Sequence, residues 1–333
     1  MFRTPDGAAP NIAALAFTLL GYGFGVVALT SPSWVLNAIG FVAVTLTLIW
    51  SAYYIHEFAH LAIFRSAPAN ERWGTLMTWI NGSCYARFAD LRRKHMRHHV
   101  ERADVITFDA RGFLLAAPAW LRGGVLALEW AYFPAVEFLM RGFVIAKPFK
   151  SGDTASAWRI VGIAVLRVVA FAALGWYSPK ALALYFAAYL VFVTVLRFAD
   201  CFQHTYDAYP ILGDTPIPDD KLRDRAYEQA NTYSNVFGLD NFWLNLLWLN
   251  FGYHNAHHER PTMAWHRLPA YHRELYGTDY RQVVPVSQLL KAFHQHRLTR
   301  VLSGDYGQVL DPRVAGRADG FVGAVGVSFL TAV

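Results

Sequence analysis

The sequence predicts an all-α integral membrane protein: two or three transmembrane helical hairpins carrying a helical cap. Three observations predict it. Of 333 residues, 55% are hydrophobic and only 16% are charged, against about 25% charged in soluble domains. Several apolar runs reach the ~20 residues a spanning helix needs. Between these runs lie polar segments rich in Arg and His.

The first hairpin is formed by 11–29 and 34–55, joined by the uncharged turn Thr30-Ser31-Pro32-Ser33. The stretch 61–111 follows, with nine Lys/Arg residues including Arg92, Arg93, Lys94 and Arg97. Such an excess marks the cytoplasmic side. Residues 112–146 are apolar but broken by Pro118, Glu129, Pro134, Glu137 and Arg141. They read as two interfacial helices or a further hairpin, since charges inside a bilayer are rare. A second clear hairpin comprises 159–176 and 179–196, turning at Tyr177-Ser178. Both hairpins open to one side, so 61–111 and 197–300 form a cytoplasmic cap on a single domain spanning 1–333. The apolar end, 320–333, is too short to span and reads as a packing or interfacial segment.

Composition also excludes functions. The net charge of +6 comes from basic residues near the ends of apolar runs, so no nucleic-acid partner is expected. Two cysteines, Cys84 and Cys201, build no disulfide framework, zinc ribbon or iron–sulfur motif. Residues 1–10 hold one basic residue, Arg3, and no small-residue cleavage signature follows, so no cleaved signal peptide is expected.

Eight histidines fall in three clusters, the first continuing from the second apolar run and the others within the cap: His56 and His60; His95, His98 and His99; His254, His257 and His258. Residues three and four apart share a helix face, so each cluster can aim its imidazoles at one point. Imidazole binds zinc, copper, iron and nickel, and eight are too many for one ion, which points to a di-metal site. The His56/His60 spacing equals that of a zinc-protease helix, but such an enzyme needs three protein ligands and leaves two clusters unexplained. The repeated His-x-x-His-His pattern argues against a merely solvated basic face. His204 follows the last apolar run with Asp200 one turn earlier, so His204 is a ninth candidate ligand and Asp200 a neighbour able to bind or orient one. Glu57 could orient its neighbour His56. His266, His272, His294 and His296 lack tight spacing and read as surface residues.

These clusters, with Phe202-Gln203-His204-Thr205 and Gly252-Tyr253-His254-Asn255-Ala256-His257-His258-Glu259-Arg260-Pro261, make the chain resemble the integral-membrane fatty acid desaturase and hydroxylase superfamily over about residues 50–262. The resemblance implies two iron ions held by the boxes at the cytoplasmic surface, with O₂ as co-substrate. It also implies an enzyme oxidising a lipid acyl chain in the bacterial inner membrane, or in the ER membrane of a eukaryote. No His-Pro-Gly-Gly haem motif is present, so electrons are expected from a separate ferredoxin, rubredoxin or cytochrome b5 type donor, docked by Arg92, Arg93, Lys94 and Arg97. The absent Asn-Tyr-x-x-His-Tyr-Gly motif favours an acyl desaturase over a hydroxylase or ketolase acting on an alkane, fatty acid, sterol or carotenoid. A non-redox metal-binding or transport protein is the reading of a different class. It fits less well, because transport sites lie near the bilayer midplane.

Overall fold

The computed structural model describes residues 1–213, 216–307, 309 and 318–332. Among them four helices are long and apolar enough to cross a membrane, and they form two hairpins. The first comprises α1 (Ala8–Thr30) and α2 (Trp34–Ala59). Its turn is fixed by polar groups. Ser33 caps α2 by accepting from the Leu36 amide. The buried Asn37 amide donates to the carbonyls of Ala28, Leu29 and Ser31, satisfying carbonyls that the end of α1 leaves unpaired. The helices touch at their backbones, because a Cβ placed on Gly40 would lie 2.8 Å from the Gly25 carbonyl oxygen. Small residues allow this approach where apolar burial cannot drive association.

Two short helices follow, α3 (Ala67–Asn81) and α4 (Phe88–Glu101). Next come α5 (Ala110–Ala116), α6 (Ala119–Trp130) and α7 (Ala135–Ser151). At 12 residues α6 falls short of the ~20 needed to span, and α7, at 17, carries Glu137, Arg141 and Lys147. Glu129 of α6 is buried against Arg197 and accepts from the Val136 amide, so the charges that interrupt this apolar stretch face protein rather than lipid.

The second hairpin is α8 (Thr154–Tyr177) and α9 (Pro179–Asp200). Ser178 caps α9 and Pro179 occupies its first turn, where its missing N–H costs nothing. Trp158, Val165, Leu166, Val168 and Trp176 of α8 are exposed, as a lipid-facing helix requires. Tyr22 and Tyr185 hydroxyls meet at 2.9 Å and tie α1 to α9.

The cap is completed by α10 (Arg225–Ala230), α11 (Phe242–Asn245), α12 (His254–Glu259), α13 (Leu268–Tyr276), α14 (Val286–Gln295) and α15 (Thr299–Leu302). A two-stranded parallel sheet pairs β1 (Ser234–Val236) with β2 (Val283–Pro285), Ser234 opposite Val283. The sheet sets α12 in place: the Asn235 amide donates to the Gly252 carbonyl, and Ser234 Oγ accepts from the Asn255 amide.

Candidate metal centre

The histidines arrive from four parts of the chain. His56 lies in the last turn of α2 and His60 at its C-cap. His95, His98 and His99 lie on α4, and His254, His257 and His258 on α12. His204 stands four residues beyond α9 and bridges to Thr232. All nine converge in two groups. His56, His60, His95, His99 and His257 form one; His98, His204, His254 and His258 form the other. Within each group the candidate ligand nitrogens lie within 4.8 Å of one another.

Helical spacing explains this division. His95 and His99 are one turn apart and serve the first group, while His98 looks toward the second. On α12, His254 and His258 are the one-turn pair of the second group, while His257 points to the first. The repeated His-x-x-His-His pattern therefore divides the same way in both helices, with the two groups exchanged.

The rings meet through Nε2. Separations are 3.1 Å for His56–His257 and 3.2 Å for both His95–His99 and His99–His257. In the second group His204–His258, His204–His254 and His254–His258 are each 3.1 Å. Two nitrogens each ~2.1 Å from one ion and at right angles would lie about 3.0 Å apart, so the spacing suits ligands of a shared cation.

The opposite ring nitrogens set the tautomers. His258 Nδ1 lies 2.8 Å from Glu228 Oε1. His98 Nδ1 lies 2.8 Å from the Ala103 carbonyl, and His204 Nδ1 lies 3.4 Å from Asp104 Oδ1. A proton held at Nδ1 leaves a lone pair at Nε2, and converging lone pairs at 3.1 Å repel unless a cation lies between them. Burial pushes His98 and His204 down to about 3, and burial and neighbouring rings hold His99, His257 and His258 well below the usual range. These five imidazoles are therefore neutral at neutral pH, the form that binds metal. An all-nitrogen set suits iron, copper, nickel or zinc, and Glu57, Asp104 and Glu228 supply nearby negative charge.

Asp104 and Glu228 were not among the sequence candidates. Asp104 follows the second cluster by five residues, and that closeness was a usable signal. Glu228 sits on a separate helix with no spacing relation to any histidine. Glu57 does face His56 Nδ1, at 3.4 Å. The letters His56-Glu57-Phe58-Ala59-His60 satisfy the zinc-protease pattern His-Glu-x-x-His, but Glu57 Oε2 accepts from the Trp265 amide and the carboxylate sits behind the His56 ring. It is not placed to activate a water between the histidines. Asp200 is in neither group; it is buried and lines a cavity with His95, His98, His204 and His254.

Two expectations need correction. His272 is no surface residue: it is fully buried among Tyr253, Tyr276 and Tyr280. Nor do the four basic residues of α4 form one docking patch. Lys94 is buried and donates to Thr107 Oγ1 and to the carbonyls of Ser328 and Thr331. Arg92 donates to the Ala59 carbonyl and Arg97 pairs with Glu101, leaving Arg93 the most exposed. An amphipathic helix with a buried face places some of its basic residues inward whatever their sequence neighbours. His266, His294 and His296 lie apart from both groups, beside Asp6, Tyr132 and the Asp319 carbonyl respectively.

Two apolar hairpins ending in a polyhistidine centre define the class: an integral membrane protein built to hold metal at one end of its spanning helices. The family model for fatty acid desaturases matches residues 32–289, which takes in all nine histidines. The chain belongs to the fatty acid desaturase family. It is thus an oxidoreductase of desaturase or hydroxylase type, acting on a lipid at the membrane. No curated protein matches the sequence.

Proposed function

We propose that the chain is an O₂-dependent acyl desaturase that introduces a double bond into a lipid acyl chain. The nine histidines hold two iron ions, five ligands in one group and four in the other. The observation that carries this reading is the division of the histidines into two sets of inward-facing nitrogens. Iron bound there supplies the redox chemistry toward O₂ that imidazole alone, or zinc, lacks.

The protein's own residues would do the rest. Glu228, Asp104 and the Ala103 carbonyl hold Nδ1 protons and keep the rings aimed. Phe251 lies 4.7 Å from His56 and 5.0 Å from His254 between ring centroids, and with Tyr53 it forms a dry wall that excludes water. The basic residues of 61–111 at the histidine end support a cytoplasmic site, in the inner membrane if the source is bacterial. Electrons come from a separate small donor protein, with Arg93 as the contact the fold leaves available.

Expression with a competent ferredoxin system, followed by fatty acid methyl-ester analysis and metal assay, tests the reading. New double bonds and about two irons per chain are expected from two such groups. Hydroxylated or keto products would move the chain to the hydroxylase side of the family. One zinc and no iron would sink the oxidase reading.

A further inference from the structure

Residues 318–332 form no helix or strand, yet Phe321, Ala324, Phe329, Leu330, Thr331 and Ala332 are all buried. Irregular backbone inside a protein needs partners for its polar groups, and here side chains from elsewhere supply several. Lys94 Nζ donates to the Ser328 and Thr331 carbonyls at 2.7 and 2.9 Å. Thr107 Oγ1 donates to the Thr331 carbonyl at 2.6 Å. Arg300 Nε donates to the Val322 carbonyl at 3.0 Å. The segment is fastened at points, without a continuous hydrogen-bonded ladder.

Its path runs past the histidines. Val327 and Phe329 line the cavity that also meets His95, His98, His204 and His254. The Phe329 ring centroid lies 6.0 Å from His56 and 6.1 Å from His95. Leu330 and Thr331 line a second, mostly apolar cavity of about 180 Å³ with Phe138, Val144 and Ile145. Ala332 lines a third, of about 320 Å³, beside Arg87 and Lys147. The second and third cavities share Tyr85 and Ala86. Residues 327–332 thus border in turn the cavity at the histidines, an apolar cavity and a polar one that adjoins it.

Volume decides what can share that route. The cavity at the histidines is about 40 Å³, room for one or a few waters, whereas sites for extended ligands run to roughly 300–1,000 Å³. With Phe329 and Val327 in place, no acyl chain fits beside the histidines. The other walls come from α4, α9 and α12, the buried Phe251 turn and the irregular stretches holding Asp104, Val105, Gln203 and His204, of which Asp104 and His204 belong to the histidine site itself. The point-fastened segment is the part whose removal opens it toward the apolar cavity.

We propose that residues 327–332 occupy the path an acyl chain takes to the histidine cluster, so that segment and lipid compete for one channel. The proposal rests on the lipid-oxidising reading above. Val327, Phe329 and Leu330 offer this channel apolar surface of the kind an acyl chain offers, so exchange leaves its walls covered. Because the competent state is the one with the segment withdrawn, apparent lipid affinity is reduced by the fraction of molecules in that state. Loosening the fastenings raises it.

The test uses purified full-length protein in detergent, palmitic acid carrying a chain-borne diazirine, and a Leu330→Cys variant labelled by N-ethylmaleimide, with labelling read peptide by peptide. The expected result is photo-crosslinking to the 138–145 wall, with labelling of position 330 accelerated about tenfold by the lipid, as a shift toward the open state predicts. Crosslinking without faster labelling overturns the competition and leaves the lipid reading intact. No crosslinking anywhere in the channel overturns both. Thr107→Val in the Leu330→Cys chain removes one fastening and is expected to speed labelling without lipid; an unchanged rate counts against the proposal.

Discussion

In the four-histidine group, His98 and His258 each meet an acceptor behind the ring at 2.8 Å, His204 has Asp104 at 3.4 Å, and His254 Nδ1 is buried without a hydrogen-bond partner. In the five-histidine group, His56 has a carboxylate at 3.4 Å, while the Nδ1 atoms of His99 and His257 are buried without a hydrogen-bond partner. One group has fewer rings, more of them oriented; the other has more rings and less support. The contrast teaches that orientation and ligand number are alternative ways to hold a cation. A ring fixed in tautomer and angle loses less freedom on binding, and an extra ring compensates for one that is loosely aimed.

The comparison can be broken most sharply by removing a ring from each side. His98→Ala leaves three ligands in the smaller group, and His257→Ala leaves four in the larger. Both are expected to abolish turnover while the protein still inserts in the membrane. Iron per chain should fall further in His98→Ala. Wild-type activity in either variant refutes that ligand's assignment, and equal metal loss in both would erase the distinction between the groups.

Removing support instead of ligands comes next. Glu228→Ala is expected to lower metal affinity about 10- to 100-fold, as loss of a carboxylate behind a ligating histidine does. Glu57→Gln keeps an acceptor for the Trp265 amide and should cost much less. Metal titration of the two variants against a competing chelator measures the ratio, and a larger effect at Glu57 would reverse the argument.

Acid provides a gentler test on metal-free protein. His98 and His204 stay neutral in the fold down to about 3, whereas an unfolded histidine protonates near ~6.5. The unfolded chain therefore binds more protons between those values, so stability falls as pH drops below about 6.5 and does not depend on these groups above it. Thermal unfolding at pH 5 and pH 7.5 should show the lower midpoint in acid. The smallest effect on activity is expected at His272. His272→Ala should cost about 1–3 kcal/mol of stability by opening a buried space, while iron content and turnover per folded molecule stay near wild type.

Much of this architecture was legible in the sequence, for a physical reason. A spanning helix announces itself by apolar length, and both hairpins stand where the runs 11–29, 34–55, 159–176 and 179–196 placed them. The histidines were legible because one-turn spacing is a local property of a helix. What escaped was non-local. Glu228 reaches His258 from another helix, and the division into five and four depends on how α4 and α12 face each other. Lys94 looked like its basic neighbours until packing turned it inward. His272 looked like a surface residue because burial depends on what closes over it. Residues 320–333 carried no periodic pattern, so nothing in the sequence pointed to Val327 and Phe329 lying beside the histidines.

Helix α12 gives His257 to one group and His254 and His258 to the other. Neither set is complete until this six-residue helix has docked, and it lies about two hundred residues after His56 in the order of synthesis. On the proposed reading, metal capture waits for α12, which follows both hairpins in the order of synthesis. Because one short helix closes both sets, an ion bound in either favours the docked helix that the other requires. On that reading the two positions fill as a pair, and half-loaded molecules should be scarce at every stage of maturation.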